Sequence, residues 1–188
     1  MRAALLALLI AATGGTAQAA PSTYALQPEA STVGFETDFG PDKITGQMPV
    51  TRADLSLDFQ HVGASSVAVT LDVAGAQASF PFAAQAMKGP KVLDSQEYPT
   101  ITFQSTGVRA EGDGAAVAGN ITIRGVTRPA LLHAVIYRQQ GTVAGDLSHL
   151  TIRLTGAVMR SQFGATGWAD SVGDEVRLDI IARIQRVE

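Results

Sequence analysis

The chain has 188 residues, no cysteine, and 14 lysines and arginines against 17 aspartates and glutamates, which gives a formal net charge of −3. Without cysteine, disulfides, zinc–thiolate sites, cysteine nucleophiles and a thiol-linked lipid anchor are excluded. No run of basic residues is present, and this disfavours nucleic acid and anionic lipid surfaces as partners.

The start of the chain has the order of an export signal. Arg2 is the single positive charge before an apolar stretch over residues 3–12, and residues 17–19 (Ala-Gln-Ala) form a small-x-small cleavage pattern. This order is typical of a secretory signal peptide, and the apolar stretch is too short to span a bilayer. The sequence therefore predicts a signal peptide over residues 1–19 and a single exported domain over residues 20–188. Export without an anchor predicts a periplasmic location, with the exterior as the alternative.

Beyond the signal, apolar and polar residues alternate with a period of two, the pattern of strands that have one apolar and one wet face. The first group of strands is predicted over residues 33–39, 44–48, 53–59 and 67–73. The alternation breaks at residues 80–93. Residues 82–87 are rich in alanine and are followed by Gly89-Pro90, so one short helix is expected there.

Strand character then returns over residues 100–108, 115–123, 128–137, 150–158 and 176–184. Eight or nine antiparallel strands form either a two-sheet sandwich or a closed barrel, and a barrel of about eight strands encloses side chains or one ligand. Gly46, Gly119 and Gly156 fall on the apolar face of their strands. Because glycine adds no side-chain volume there, we favour a hollow barrel, although such glycines also suit bulges and bends.

Several ordered blocks carry a family resemblance. The most specific are residues 98–105 (Tyr-Pro-Thr-Ile-Thr-Phe-Gln-Ser) and residues 119–129 (Gly-Asn-Ile-Thr-Ile-Arg-Gly-Val-Thr-Arg-Pro), with further blocks from residue 24 to residue 176. On these motifs the chain resembles the YceI family of periplasmic polyisoprenoid-binding proteins over nearly all of the mature chain. The resemblance implies an all-β, extended, antiparallel lipocalin-like barrel of about eight strands with one short helix.

The same resemblance implies that a long isoprenoid lipid or quinone tail is held in an apolar tunnel. It implies no catalysis and no cofactor, and it leaves a homodimer open. No second apolar stretch of the chain is long enough to span a membrane.

A long apolar ligand requires apolar walls. Burial of one methylene contributes ~0.8 kcal/mol while association costs of order 4–15 kcal/mol, so about ten carbons break even and about twenty or more bind tightly. This arithmetic favours a polyprenyl chain over a short fatty acid. The residues expected to contact the ligand are Phe35, Phe80, Phe82, Met87, Phe103, Ile121, Leu154, Phe163 and Trp168. For each of them the alternative is an ordinary core residue.

Catalytic and metal-binding patterns do not emerge from the remaining polar residues. His61, His133 and His149 are far apart and lack metal-ligand spacing, and Ser161 lacks a nucleophile elbow. The acidic residues near the last strand favour a solvated turn over a calcium site. We therefore expect a protein that is not an enzyme and has no metal site.

Three points stay open at this level. Arg124 and Arg128 flank Gly125 and either contact a pyrophosphate head group or, as we favour, are hairpin-turn arginines that pair with a carboxylate across the sheet. Two other functions also remain: a secreted stress-protection or interaction barrel without a bound lipid, and an enzyme acting on isoprenoid lipids. Finally, Trp168 lies in a glycine-rich loop, where it forms either a lid at the barrel mouth or a cap on the core.

Overall fold

The computed structural model describes residues 20–138, 143 and 145–187. The predicted signal peptide lies outside these residues and stays a prediction. The described residues form eleven strands and one α-helix, α1 (Pro81–Lys88). The strands are β1 (Ser22–Leu26), β2 (Thr32–Phe39), β3 (Asp42–Met48), β4 (Val50–Leu57), β5 (Ser66–Asp72), β6 (Gln77–Ala78), β7 (Thr100–Glu111), β8 (Gly114–Ile123), β9 (Val126–Arg138), β10 (His149–Met159) and β11 (Glu175–Arg186).

Eight of these strands close into an antiparallel barrel in the order β1-β4-β5-β7-β8-β9-β10-β11, and β11 returns to β1. Strand β11 reaches two partners because it is long. Its carboxyl-terminal part pairs with β1, where Ile184 lies opposite Leu26, and its amino-terminal part pairs with β2, where Arg177 lies opposite Glu36. The closed barrel confirms the predicted fold class and excludes the sandwich.

The two ends of the barrel are built differently. At one end, called here the helix end, lie α1, the β8–β9 turn, the loop over residues 160–174 and the β2–β3 hairpin, which extends the wall and carries β6 on its edge. At the opposite end, called the far end, lie the β4–β5 and β7–β8 turns. None of the described helices is long and apolar enough to cross a bilayer.

The predicted elements are confirmed with two omissions. The helix is present, beginning with Pro81 at its first position, which suits a proline because the amide there needs no helical partner. The sequence analysis missed β1 and β6. Strand β1 is five residues long and ends before Pro28, while β6 has two residues and depends on edge pairing with β3. Strand β6 is too short to show a period of two, and in β1 the apolar run Tyr24-Ala25-Leu26 hides the alternation.

The buried core is split between the two ends. Near the helix end, Val73, Leu93, Ile101, Ile121, Ile123 and Phe163 form one cluster. A second cluster consists of Tyr24, Leu55, Leu150 and Ile184, and the Tyr24 hydroxyl donates to the Leu147 carbonyl at 2.9 Å. The two clusters share no residue, and side chains such as Val69, Leu154 and Ile180 on the inner wall are only half-buried, so the clusters do not merge into a single solid core.

The strand glycines allow neighbouring side chains to lie flat on the wall. The ring of Phe35 lies over Gly46, the ring of Phe103 lies over Gly119, and Leu132 lies over Gly156. The space above each glycine is therefore filled by a neighbour, not empty as the sequence analysis supposed. The barrel stays hollow because these side chains run along the wall and do not project across the interior.

We expect Gly119→Ala to destabilise the protein by about 1–3 kcal/mol, as overpacking does. The new Cβ would lie 2.6 Å from the Gln104 carbonyl oxygen, and backbone cannot move aside as a flexible side chain can. Gly107→Ala is the matched control, because a Cβ there meets nothing within 4 Å. Urea unfolding midpoints test this, and equal stability of the two variants would contradict it.

Candidate ligand-binding cavity

An apolar cavity of ≈ 910 Å³ runs through the barrel. It extends from Phe82 and Trp168 at the helix end to Gly112, Asp113 and Arg138 at the far end. Strand β9 has 13 residues, so the wall measures about 40 Å along the strand and about 30 Å along the barrel axis after tilt. The volume is at the upper end of the ~300–1,000 Å³ typical of ligand pockets. The shape suits a long, narrow ligand.

Every residue expected from the sequence to contact a ligand lines this cavity. They are Phe35, Phe80, Phe82, Met87, Phe103, Ile121, Leu154, Phe163 and Trp168. Phe163 is 2% exposed and also belongs to the core cluster near the helix end, so for this residue the core and lining roles coincide. That these side chains contact a ligand stays a prediction.

Sequence reasoning missed most of the aliphatic wall. Among the residues it did not single out are Val33, Ala53, Val69, Leu71, Leu178 and Ile180, which all line the cavity. These residues occupy the apolar positions of the same period-two alternation that predicted the strands. Once a closed barrel is assumed, every apolar position on the inner face becomes a candidate.

Many wall residues are only half-buried even though they lie inside the barrel, while others, such as Val117 and Leu132, are buried. Val33, Val69, Leu71, Leu154 and Ile180 all show this intermediate burial. In a solid protein core such residues would be close-packed on all sides. Here each one packs against its strand neighbours on one side and faces the cavity on the other. The wall therefore presents apolar surface that no other part of the protein covers.

Polar side chains in the wall are occupied by the protein itself. The Thr37 hydroxyl donates to the Glu175 carbonyl at 2.9 Å. The Asp58 carboxylate accepts the backbone N–H groups of His61 and Gln60, and the bond from His61 contributes most to lowering the pKa of Asp58. Within the described part of the chain, no buried side-chain nitrogen or oxygen lacks a hydrogen-bond partner. A ligand in the cavity therefore meets little but hydrocarbon.

Arg160 organises the loop at the helix end. Its guanidinium is buried, and three of its nitrogens donate to backbone carbonyl oxygens at 2.7–2.9 Å. The acceptors are the carbonyls of Ala165, Gly167, Val172 and Gly173. Burial lowers the pKa of Arg160, and the nearby charge of Asp174 opposes that shift. One side chain thereby fixes the course of the loop that carries Trp168.

A second arginine ties this loop to the segment that follows α1. Arg124 donates to the Gly164 carbonyl at 2.9 Å and to the Val92 carbonyl at 3.3 Å, while its nearest carboxylate, on Asp94, lies 4.0 Å away. Arg124 therefore does not make the expected pair with a carboxylate across the sheet: its hydrogen bonds go to main-chain carbonyls of two loops, and Asp94 lies in one of those loops. Arg128 is exposed and donates only to the adjacent Thr127 carbonyl.

Trp168 occupies the mouth of the cavity in an unusual backbone conformation. Its φ is +55°, a left-handed value that favours glycine and is strained for a bulky residue. The Trp168 carbonyl accepts the N–H groups of Ser171 and Val172, and the Gly167 N–H donates to the Lys91 carbonyl. The loop holds Trp168 in place while 45% of the residue remains exposed.

The structure does not bring together the histidines and the serine that the sequence analysis considered. His133 bonds to Glu111 at 2.8 Å on the outer surface, and His61 and His149 are likewise exposed. Ser161 donates its hydroxyl to Asp174 at 2.7 Å, which ties down the start of the loop. No set of three or more His, Asp and Glu in the described part of the chain could hold a metal ion.

A closed antiparallel barrel around a long apolar cavity defines the class of lipocalin-like binding barrels. The profile of the YceI-like domain matches residues 24–184, so the chain belongs to the YceI-like family. A UPF0312 protein of Ectopseudomonas mendocina is 30% identical over 138 residues, which cover 71% of this chain and 72% of that protein. A UPF0312 protein of Pseudomonas aeruginosa is 31% identical over 84 residues, which cover 45% and 44%.

Solved structures share the fold. BcnA of Burkholderia cenocepacia matches with a TM-score of 0.76 and 21% identity, over 85% of this chain and 99% of that one. A polyisoprenoid-binding domain from Saccharophagus degradans, implicated in plant cell wall breakdown, matches with a TM-score of 0.61 and 10% identity, over 88% and 99%. At these identities the likeness extends to the barrel alone.

We expect Arg160→Leu to lower the free energy of unfolding by about 3 kcal/mol or more, because it leaves several carbonyls without donors. Arg160→Lys should lower the free energy of unfolding by a smaller amount, since an ammonium cannot reproduce all the hydrogen bonds of the planar guanidinium. Urea unfolding followed by Trp168 fluorescence measures both. Arg128→Leu is the exposed control. Wild-type stability in Arg160→Leu would contradict the role of this residue.

Proposed function

We propose that this protein is an exported, non-catalytic carrier that holds a long-chain isoprenoid lipid, a polyprenyl or quinone tail, inside the barrel. The observation that carries the proposal is the ≈ 910 Å³ cavity, whose lining is predominantly apolar from the helix end to the far end, with Asp113 and Arg138 at the far end. The signal-like residues 1–19 support export, and with it a periplasmic location. The proposal is compatible with a homodimer, because the cavity lies within a single barrel.

The energetics favour a long tail. Each buried methylene contributes ~0.8 kcal/mol, so about twenty carbons contribute ~16 kcal/mol, which exceeds an association cost of order 4–15 kcal/mol. A short fatty acid would leave much of a tunnel about 30 Å long unfilled. Since few polar groups in the wall are free to bind, chain length and not a head group supplies most of the affinity.

The chemistry of the wall also supports binding over catalysis. Among the described residues, no histidine, lysine or glutamate lines the cavity, and Asp58 is engaged by backbone N–H groups. The polyisoprenoid-binding domain of Saccharophagus degradans has the same fold, which supports transfer of the ligand class to this chain. The split core weighs against the alternative of a barrel with no ligand, because that alternative requires a packed interior.

Solvent extraction of the purified protein, followed by mass spectrometry, tests the proposal. We expect an apolar lipid of about twenty or more carbons, close to one per barrel. A protein that releases no lipid and takes up no added polyprenol or long-chain quinone would contradict the proposal.

A blocking substitution provides a sharper test. Leu154→Trp places an indole in the cavity, and we expect it to reduce bound lipid at least about tenfold by removing volume from the tunnel. Thr155→Trp is the matched control, since Thr155 is exposed on the outer face of the same strand. The molar ratio of bound lipid to protein is measured for both variants. Their melting temperatures are compared first, so that a loss of lipid is not a loss of folding. Equal lipid content would show that the ligand does not lie in the cavity.

A further inference from the structure

The mouth of the cavity at the helix end is surrounded by exposed aromatic rings. Phe82 is 68% exposed, Trp168 45% and Phe39 37%. Phe82 and Trp168 line both the cavity and a neighbouring outer groove of ≈ 390 Å³, which also includes Lys91. These three aromatic residues, together with Lys88 and Lys91, are called here the mouth patch. The apolar surface of the tunnel therefore continues onto the outside of the protein.

All three lysines of the chain, Lys43, Lys88 and Lys91, lie at the helix end. Lys43 pairs with Glu36 at 2.9 Å. Within the described residues, neither Lys88 nor Lys91 has a carboxylate within 4.0 Å, and both are close in sequence to the groove. The linear sequence shows no basic run, which disfavoured anionic surfaces, but the fold places the neighbouring Lys88 and Lys91 at the same end of the barrel as the exposed aromatic rings.

Acidic residues outnumber the lysines at the helix end and limit its charge. Those exposed there are Asp38, Asp42, Glu97, Asp170, Asp174 and Glu175, of which Asp38 and Glu175 pair with Arg177. The lysines therefore act through their position beside Phe82 and Trp168, while the apolar rings supply most of the attraction to a partner. A mixed apolar and cationic rim of this kind matches the interface of a bilayer, where aromatic rings lie at head-group depth and lysines meet anionic lipids.

The backbone of Trp168 provides an independent observation. Folding alone would favour glycine at a position with φ of +55°, and would favour a polar residue where nearly half of the side chain is exposed. The loop nevertheless holds a tryptophan there through the bonds of Arg160 and Arg124. Strain retained at a mouth points to a functional constraint on this residue, and the exposed part of the ring is accessible to a surface outside the barrel.

We propose that the mouth patch docks on a phospholipid bilayer that contains anionic lipid, and that the tail moves between bilayer and cavity without crossing water. This inference rests on the proposed function, since it names the surface from which the lipid is taken or to which it is delivered. Phe82 and Trp168 lie in the interface, and Lys88 and Lys91 contact the anionic head groups.

The single tryptophan of the chain makes a direct test available. The full mature protein is mixed with vesicles of phosphatidylcholine, with and without phosphatidylglycerol, in which some acyl chains carry bromine near the head group. We expect the emission of Trp168 to shift to shorter wavelength and to be quenched by the bromines, more strongly with phosphatidylglycerol. Unchanged emission with both vesicle types would overturn the proposal.

Variants assign the binding to the patch. Phe82→Ser should weaken vesicle partitioning about tenfold or more. The double variant Lys88→Gln with Lys91→Gln should weaken it roughly 25-fold in anionic vesicles and little in neutral ones. Leu131→Ser, on the outer wall, and Arg109→Gln, near the far end, are the matched controls. Equal losses in the controls, or none in the mouth variants, would overturn the assignment.

The outcome is separable from that of the proposed function. Each protein is also extracted and its lipid content measured. Bound lipid without vesicle binding means that docking is wrong while the carrier function stands. Vesicle binding through the patch by a barrel that holds no lipid means that the docking surface is real and the carrier function is wrong.

Discussion

The protein depends on keeping an apolar interior open. A sheet with one apolar face normally buries that face against a second layer, and burial of apolar surface is the dominant favourable contribution to folding. Here the sheet closes on itself and the buried core divides into two clusters. The backbone hydrogen bonds of the closed ring hold the wall apart, so apolar surface inside remains available to a ligand.

Three features maintain this arrangement. Glycines at positions 46, 119 and 156 let the side chains above them lie along the wall. Long β11 joins the closed ring to the β2–β3 hairpin, which extends the tunnel at the helix end. Arg160 then shapes the loop at that mouth through backbone carbonyls, which leaves the aromatic rim exposed. Wall, extension and rim thus form one continuous apolar path.

Alternation in the sequence was sufficient to predict most strands and the four lining residues that lie on them, Phe35, Phe103, Ile121 and Leu154. The break in alternation predicted the short helix, and the other five lining residues were chosen as large apolar residues near it or in the loop after β10. Alternation did not reveal β1, where Tyr24, Ala25 and Leu26 are three apolar residues in a row, or β6, which has only two residues. Nor did it predict that Arg160 holds the loop at the helix end. Its acceptors are main-chain carbonyls, and the sequence of side chains does not show where main-chain carbonyls lie. The position of Lys91 beside Phe82 and Trp168 likewise arises only from the fold, which brings the segment after α1 and the 160–174 loop together.

The central claim is that the barrel encloses an apolar channel that a long hydrocarbon tail occupies. The most direct measurement is a crystal structure of the protein as isolated, without added lipid, at a resolution that distinguishes an elongated chain from separate waters. The account predicts continuous density along the channel, between Phe163 at the helix end and Leu147 toward the far end. A channel closed by packed side chains, or filled with hydrogen-bonded water, would contradict it.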